Sequence, residues 1–216
     1  MARSRRVVTR VLALNCGSSS LKYALFDDAR AVLRAEVERV TDQAAAVATA
    51  LDALADQGEA APDLVGHRVV NGGPERGRPA RIDAALLAEL RERIPFAPDH
   101  LPPELAAIAA VAARWPTVPQ VACFDTAFHR TMPDVAQRYP LPDELYARGV
   151  RRYGYHGLSY DHVVHTLTPA VLGRAVIAHL GHGASLVAVR DGQSVDTTMG
   201  LTPTGGIVMG DRKSVV

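Results

Sequence analysis

Residues 15–22 (NCGSSSLK) and 179–185 (HLGHGAS) share one design, a polar Gly/Ser turn set between two apolar β-type runs. A strand-turn-strand of this kind presents backbone N–H groups to phosphate, and two copies fit one phosphate chain gripped from both sides. Lys22 sharpens the first copy. Of the 24 Lys and Arg residues only two are lysine, Lys22 and Lys213, and lysine is a compact point charge suited to phosphate where arginine is a planar fork. A Ser-rich hairpin with a solvated cation beside it is the bland alternative.

Three further clusters hold chemistry-bearing side chains. Arg68 lies in HRVVNGG (67–73), at the end of an apolar run and before two glycines that let the backbone bend. It is either a bidentate clamp for carboxylate or phosphate or an exposed arginine at a strand end. Asp125 follows the apolar run VACF, where α/β sheets place their ligands, and would serve equally as the N-cap of the next element. His156, in YGYHG, is either catalytic or a satisfied, partly buried imidazole.

The elements that must position these residues alternate in type. Residues 7–14 and 21–26 are rich in β-branched and aliphatic side chains, which makes Gly17 to Ser20 a hairpin tip. Strands are expected at 31–40, 64–70, 118–124, 175–180 and 186–190. Helices are expected from Thr41 as cap to about 55, over 84–94 and 103–113, and from about Ser159. The chain reads as α/β, with a boundary between lobes near 127–132: residues 1–127 form a first lobe and 128–216 a second that carries a phosphate loop of the same type.

With 216 residues, 48% apolar and 22% charged, the chain can bury a real core, and its net charge of +1 gives no electrostatic case for nucleic acid or an anionic membrane. Four arginines fall in the first ten residues without a following apolar segment, so the start reads as a frayed end and not a signal peptide. Cys16 and Cys123 have no paired spacing, which fits a reducing cytoplasm.

Taken in order along the chain, NCGSSSLKYALFD, GHRVVNGG, FDTAFHRTMP, YGYHGLSYDHV and HLGHGASLVAVRDGQSVDTTMGLTPTGGIVMGDR closely resemble the acetokinase family of the sugar kinase, Hsp70 and actin superfamily. The resemblance runs collinearly over about residues 11–212. It implies a ribonuclease H-like, actin-like ATPase fold of two lobes and transfer of the ATP γ-phosphoryl group to acetate, giving acetyl phosphate and ADP, with Mg2+ as cofactor. Propionate and butyrate kinases share much of the pattern and form the alternative. The family is cytoplasmic and homodimeric.

Residue by residue, the resemblance places Asn15 close to magnesium and Ser18, Ser20 and Lys22 at the nucleotide phosphates. It makes Arg68 the acyl-carboxylate arginine, with Val70 and Pro203 as walls of the acyl pocket. Asp125 becomes the essential acidic residue, and His156 and Arg212 contact the transferring phosphoryl group. His179, Leu180, Gly181, His182 and Gly183 form the second phosphate loop.

Four positions depart from the family pattern: Asn71 and Tyr160 replace histidines, His182 an asparagine, and Asp99 an apolar residue of the acyl pocket. The family pattern also continues beyond Arg212, whereas here Lys213-Ser-Val-Val216 follows, which reads as a second lobe cut partway with the dimer interface lost. Besides a working kinase, a non-catalytic fragment that needs a partner chain and a nucleotide-responsive binding module are the competing expectations. The joint presence of Asn15, Lys22, Arg68, Asp125, His156 and Arg212 argues against a pure binder.

Overall fold

The computed structural model describes residues 9–17, 20–56, 58–167 and 173–210. These divide into two compact units. One comprises the described residues up to Arg68 with Ala80–Ala88 and Asp99–Ala122, the other Val69–Pro79, Glu89–Pro98 and the described residues from Cys123 onward.

The first unit is built on a six-stranded sheet with strands β1 (Arg10–Cys16), β2 (Ser20–Asp27), β3 (Arg30–Glu38), β4 (Leu64–Val69), β5 (Ala80–Arg81) and β6 (Gln120–Phe124), in the order β3-β2-β1-β4-β6-β5. The opening hairpin has the expected form, β1 antiparallel to β2, and β4 then returns parallel to β1. Alternation fixes the register: Leu12, Leu14 and Cys16 of β1, Leu21 and Leu25 of β2, and Val65 of β4 are buried on one face. Helices α1 (Gln43–Asp56) and α3 (Leu101–Arg114) cover that face with Val47, Leu51, Leu54, Ala107 and Val111. Between them in sequence, α2 (Ala84–Glu92) begins at Asp83, whose side chain accepts the Leu86 N–H. The cap of α1 differs from expectation in the same way. Asp42 Oδ1, not Thr41, accepts the Ala45 N–H at 3.0 Å, because the helix starts one residue later and a carboxylate suits its positive end better than a hydroxyl.

His67 points into this core between Val65 and Val69. Its Nε2–H donates to Gln120 Oε1 at 2.7 Å, and burial pushes its pKa down to about 4. It is therefore a neutral core histidine. Cys16 is unpaired with its thiol pushed up to about 12 by burial, and burial raises Cys123 as well, so neither is a reactive thiolate.

The second unit carries a three-stranded antiparallel sheet, β7 (Arg174–Leu180), β8 (Ala184–Arg190) and β9 (Gln193–Thr197) in that order. Before it run a 3-10 turn (Ala127–Thr131), two short helices, α4 (Asp134–Gln137) and α5 (Asp143–Ala147), and α6 (Gly157–Thr166). Helix α6 packs Tyr160 and Val164 against Val187 and Val189 of β8, with Phe128 and Ile177 at the margin. Strand β9 was not expected. Its inward residues are Ser194 and Thr197, so it lacks an apolar period; Ser194 Oγ instead meets the Nδ1 of buried His129 at 3.0 Å. No helix among the described residues is long and apolar enough to cross a membrane.

Candidate functional site

In the first unit the strand registers line up a polar row on the face away from the core. Asn15 stands opposite Lys22, and Lys22 opposite Glu36. The parallel pairing of Leu14 with His67 sets Asn15 beside Arg68 one step on. Arg68 Nη1 donates to Asn15 Oδ1 at 3.2 Å, and Lys22 Nζ meets Glu36 Oε1 at 3.2 Å. Asn15 and Lys22 are exposed and Arg68 half-buried. The hairpin tip beside this row is closed from within: the Gly17 N–H donates to the Ser20 carbonyl at 2.8 Å, and buried Gln43 of α1 donates its Nε2–H to the Gly17 carbonyl at 2.8 Å. The structure thus gathers Asn15, Ser20, Lys22 and Arg68 around one strand-turn-strand.

In the second unit three chain segments meet at Asp125, which is 2% exposed. Its N–H donates to the carbonyl of Val69, the last residue of β4, and its own carbonyl accepts the N–H of Gly157, the first residue of α6, at 2.8 Å. A Cβ at Gly157 would collide with that carbonyl, so this approach requires glycine. The neighbouring Thr126 Oγ1 accepts the Gly72 N–H at 3.2 Å. Asn71 fixes the same turn: its Oδ1 accepts the Gly73 N–H at 2.8 Å and its Nδ2 donates to the hydroxyl of Tyr155. Tyr155 is fully buried and donates to the Leu201 carbonyl at 2.6 Å.

His156 is thereby placed at the junction of Tyr155 and α6 with φ 61 and ψ 18, the left-handed region that a non-glycine residue occupies at a cost. The surroundings hold it there. Below Tyr155, His129 Nε2–H donates to the Tyr155 carbonyl at 3.0 Å, and burial keeps His129 neutral with its pKa down at about 4. His156 Nδ1 lies 2.8 Å from Ser185 Oγ, and its ring stacks on that of His179 at 4.0 Å between centroids with planes 20° apart. His179 Nδ1 in turn meets Ser159 Oγ at 3.1 Å. The turn after β7 is tight, the Gly181 N–H donating to the Gly183 carbonyl at 3.1 Å, and a Cβ on Gly183 would stand 3.0 Å from His156 Nε2. Glycine at 183 is what lets the loop close on the imidazole. Asp125, His156 and the loop 179–183 therefore form one cluster, with Val70, 1% exposed, one residue beyond the Val69 carbonyl that anchors Asp125.

Pro203 lies half-buried in the turns after β9, and Leu180 and His182 turn outward. Ser18 and Arg212 lie outside the described residues. Asp99 is exposed just before α3. Among the described residues no group of three or more His, Cys, Asp or Glu side chains could hold a metal ion by itself. Sequence reasoning missed Thr126, Tyr155 and Ser185 as supports, and it singled out Asn71 and Tyr160 as departures from the family pattern without giving them a supporting role. Ser185 closes the second loop motif and Tyr160 lies one turn past His156, so proximity along the chain was a further signal.

Comparison with known proteins gives the family. The acetokinase family profile matches residues 32–216. An acetate kinase of Arthrobacter sp. (strain FB24) is 44% identical over 94% of this chain and 58% of its own length, and one of Nitrobacter hamburgensis is 41% identical over 94% and 59%. Among solved structures, a propionate kinase from Francisella tularensis superposes with a TM-score of 0.87 at 34% identity, covering 96% of this chain and 62% of that one. An acetate kinase from Porphyromonas gingivalis gives 0.80 at 34% identity, covering 96% and 61%. The α/β fold expected from the sequence is thus the fold of these kinases, and the chain spans about three-fifths of the length of the relatives it matches. By profile, identity and superposition alike, this chain belongs to the acetokinase family.

Proposed function

We propose that this chain carries the acyl- and phosphate-facing residues of an acetate kinase, which moves the γ-phosphoryl group of ATP to acetate and yields acetyl phosphate and ADP. The observation that carries the reading is the hydrogen bond from the Gly157 N–H to the Asp125 carbonyl, which seats the adjoining His156 near Asp125, with the Gly-rich loop 179–183 folded over the imidazole. The relatives at 44% and 41% identity are acetate kinases, which favours acetate over propionate or butyrate as acceptor.

An acetate carboxylate has a pKa near 4, as Asp does, and is already a nucleophile at neutral pH. No general base is required. Alignment and charge stabilisation must supply the rate. Arg68 binds the acyl carboxylate, Val70 and Pro203 wall the acyl group, and Asn15, Ser18, Ser20, Lys22 and residues 179–183 bind the nucleotide phosphates. His156 and Arg212 donate to the transferring group, and Asp125 orients the acceptor. Mg2+ fits as an ion carried by the nucleotide: Asn15 Oδ1 is a hard oxygen donor, and among the described residues no group of acidic, His or Cys side chains could cage the ion by itself. When bound, the ion neutralises phosphate charge. A cytoplasmic enzyme that meets ATP, ADP and a short-chain carboxylate, without nucleic acid or membrane, follows from this reading, as does division into lobes at 1–127 and 128–216.

Trapping of acyl phosphate with hydroxylamine tests it. Acetate-dependent hydroxamate formation by this chain that is lost in Asp125→Asn supports the reading. The same assay on the chain extended by the C-terminal remainder of a full-length relative separates chemistry carried by these residues from a need for the rest of the relatives' length. No acetate-dependent product in either form overturns it.

A further inference from the structure

Tyr160 lies one turn along α6 from His156, is fully buried, and its hydroxyl hydrogen-bonds Ser185 Oγ. Ser185, also fully buried, meets His156 Nδ1 on its other side at 2.8 Å. Three side chains thus form one chain, Tyr160–Ser185–His156, and its hydrogen-bond directions are constrained. Burial raises the Tyr160 pKa against the opposing effects of Ser185 and the His179 backbone, so the phenol keeps its proton. A fully buried O–H must donate, and the acceptor that the Tyr160 hydroxyl meets is Ser185 Oγ. Ser185 is fully buried too, so its single hydroxyl proton also needs an acceptor; with Tyr160 donating to it, the partner that can accept is His156 Nδ1. Nδ1 is then an acceptor and the imidazole proton resides on Nε2, the nitrogen facing Gly183. The reverse polarity, with Nδ1–H donating to Ser185 and Ser185 to Tyr160, would leave the phenol proton buried without an acceptor, which costs about 1–3 kcal/mol.

We propose that Tyr160 is a positioning residue for the phosphoryl-binding site: acting through Ser185, it holds the His156 proton on Nε2 and fixes the ring, so that Nε2–H is presented as a donor to a phosphoryl oxygen. This rests on the reading of His156 as a phosphoryl ligand and adds what makes it a donor. The αL backbone at His156, the stack on His179 and the contact with Gly183 leave the ring one orientation, and the hydroxyl relay supplies the one element they do not set, the tautomer.

The test is long-range 1H–15N correlation of the imidazoles in the full chain at a pH where they are neutral, with His156 assigned from the His156→Gln spectrum. The parent should show His156 as a single Nε2–H tautomer, not the mixture of a free imidazole. Tyr160→Phe, which keeps the packed ring, should shift His156 toward a mixture, and Ser185→Ala should do the same should the phenylalanine variant fold poorly. Titration with inorganic phosphate should then give about fivefold weaker binding in each variant, the worth of one hydrogen bond, and no further loss in the double variant because the two act as one relay. A tautomer mixture in the parent, an unmoved His156 in both variants, or additive losses would overturn the proposal. A single tautomer that responds to Tyr160→Phe while phosphate leaves His156 unperturbed upholds the relay and overturns the phosphoryl assignment instead.

Discussion

The two units present their polar residues in opposite ways. In the first, Asn15, Lys22 and Arg68 sit on an outer sheet face, joined by single contacts of 3.2 Å, and Lys22 keeps 57% of its side chain exposed. In the second, Asp125, Ser185 and Tyr160 are at most 2% exposed, and His156 is held through backbone, ring and hydroxyl contacts at once. Long cations on an open face adapt to a ligand and lose side-chain entropy when it binds. A locked cluster has already paid that cost in folding. On the proposed function, this difference assigns ground-state binding to the first set and stabilisation of the reacting group to the second.

The largest expected effect tests that division directly. In an acetate-dependent kinase assay on the chain extended to the relatives' length, His156→Ala and Asp125→Asn should each lower kcat by about 10²–10³-fold, the loss typical of removing one preorganised group at a developing charge, with the KM values changed far less. A loss confined to KM would place these residues in binding and erase the contrast.

Both units hide one neutral histidine, and here the comparison predicts equality. His67 and His129 have pKa values lowered to about 4 by burial, against 6.5 when unfolded. Between those values the unfolded chain takes up a proton that the native state refuses, so stability is full above pH 6.5 and falls as pH drops toward 4. Each site contributes a loss of about 2–3 kcal/mol by pH 4.5. Urea midpoints at pH 7 and 4.5 measure it. Midpoints unchanged between those pH values would show that the imidazoles are less shielded than their 1–2% exposure implies.

How far the sequence disclosed this contrast depends on the range of the interactions involved. The opening hairpin, β4, β6 and the Gly-rich loops were legible because alternation and turn chemistry are local. Strand β9 was hidden because its inward positions, Ser194 and Thr197, are polar and satisfied by tertiary partners such as His129. The start of α6 was placed at Ser159, whereas His156 in αL caps a helix beginning at Gly157; nothing in the local sequence announces a left-handed histidine. Asn15, Arg68, Asp125 and His156 were recognised by motif. The relay that orients His156 was not, because Ser185 comes from a strand distant in sequence and Tyr160 stood out only as a departure from the family pattern, with no partner legible in its neighbourhood.

A smaller effect is expected at the acyl end. Arg68→Ala in the same extended chain should raise the acetate KM and lower kcat/KM by about 10–100-fold, the cost of one charge-assisted contact, with nucleotide KM near that of the parent. Arg68 also donates to Asn15, so the nucleotide KM is the discriminating number. An equal rise for both substrates would mean that the row on the outer face acts as one unit and not as separable ligands.

The smallest effect probes the open character of that row. Lys22 is paired with Glu36, whose side chain is 41% exposed, and such a pair is worth at most about 1 kcal/mol to stability. Glu36→Gln should leave the urea midpoint nearly unchanged. A phosphate arriving at Lys22, however, meets the Glu36 carboxylate on the same strand-to-strand row, and that repulsion is removed in the variant. Tripolyphosphate binding should tighten by a few-fold at low ionic strength, with the gain fading toward 1 M salt as screening shortens to about 3 Å. Weaker binding in Glu36→Gln would instead show that the carboxylate orients Lys22 toward the phosphates. The first unit would then be as preorganised as the second, and the contrast between an adaptable face and a locked cluster would fail at the residue where it is most exposed.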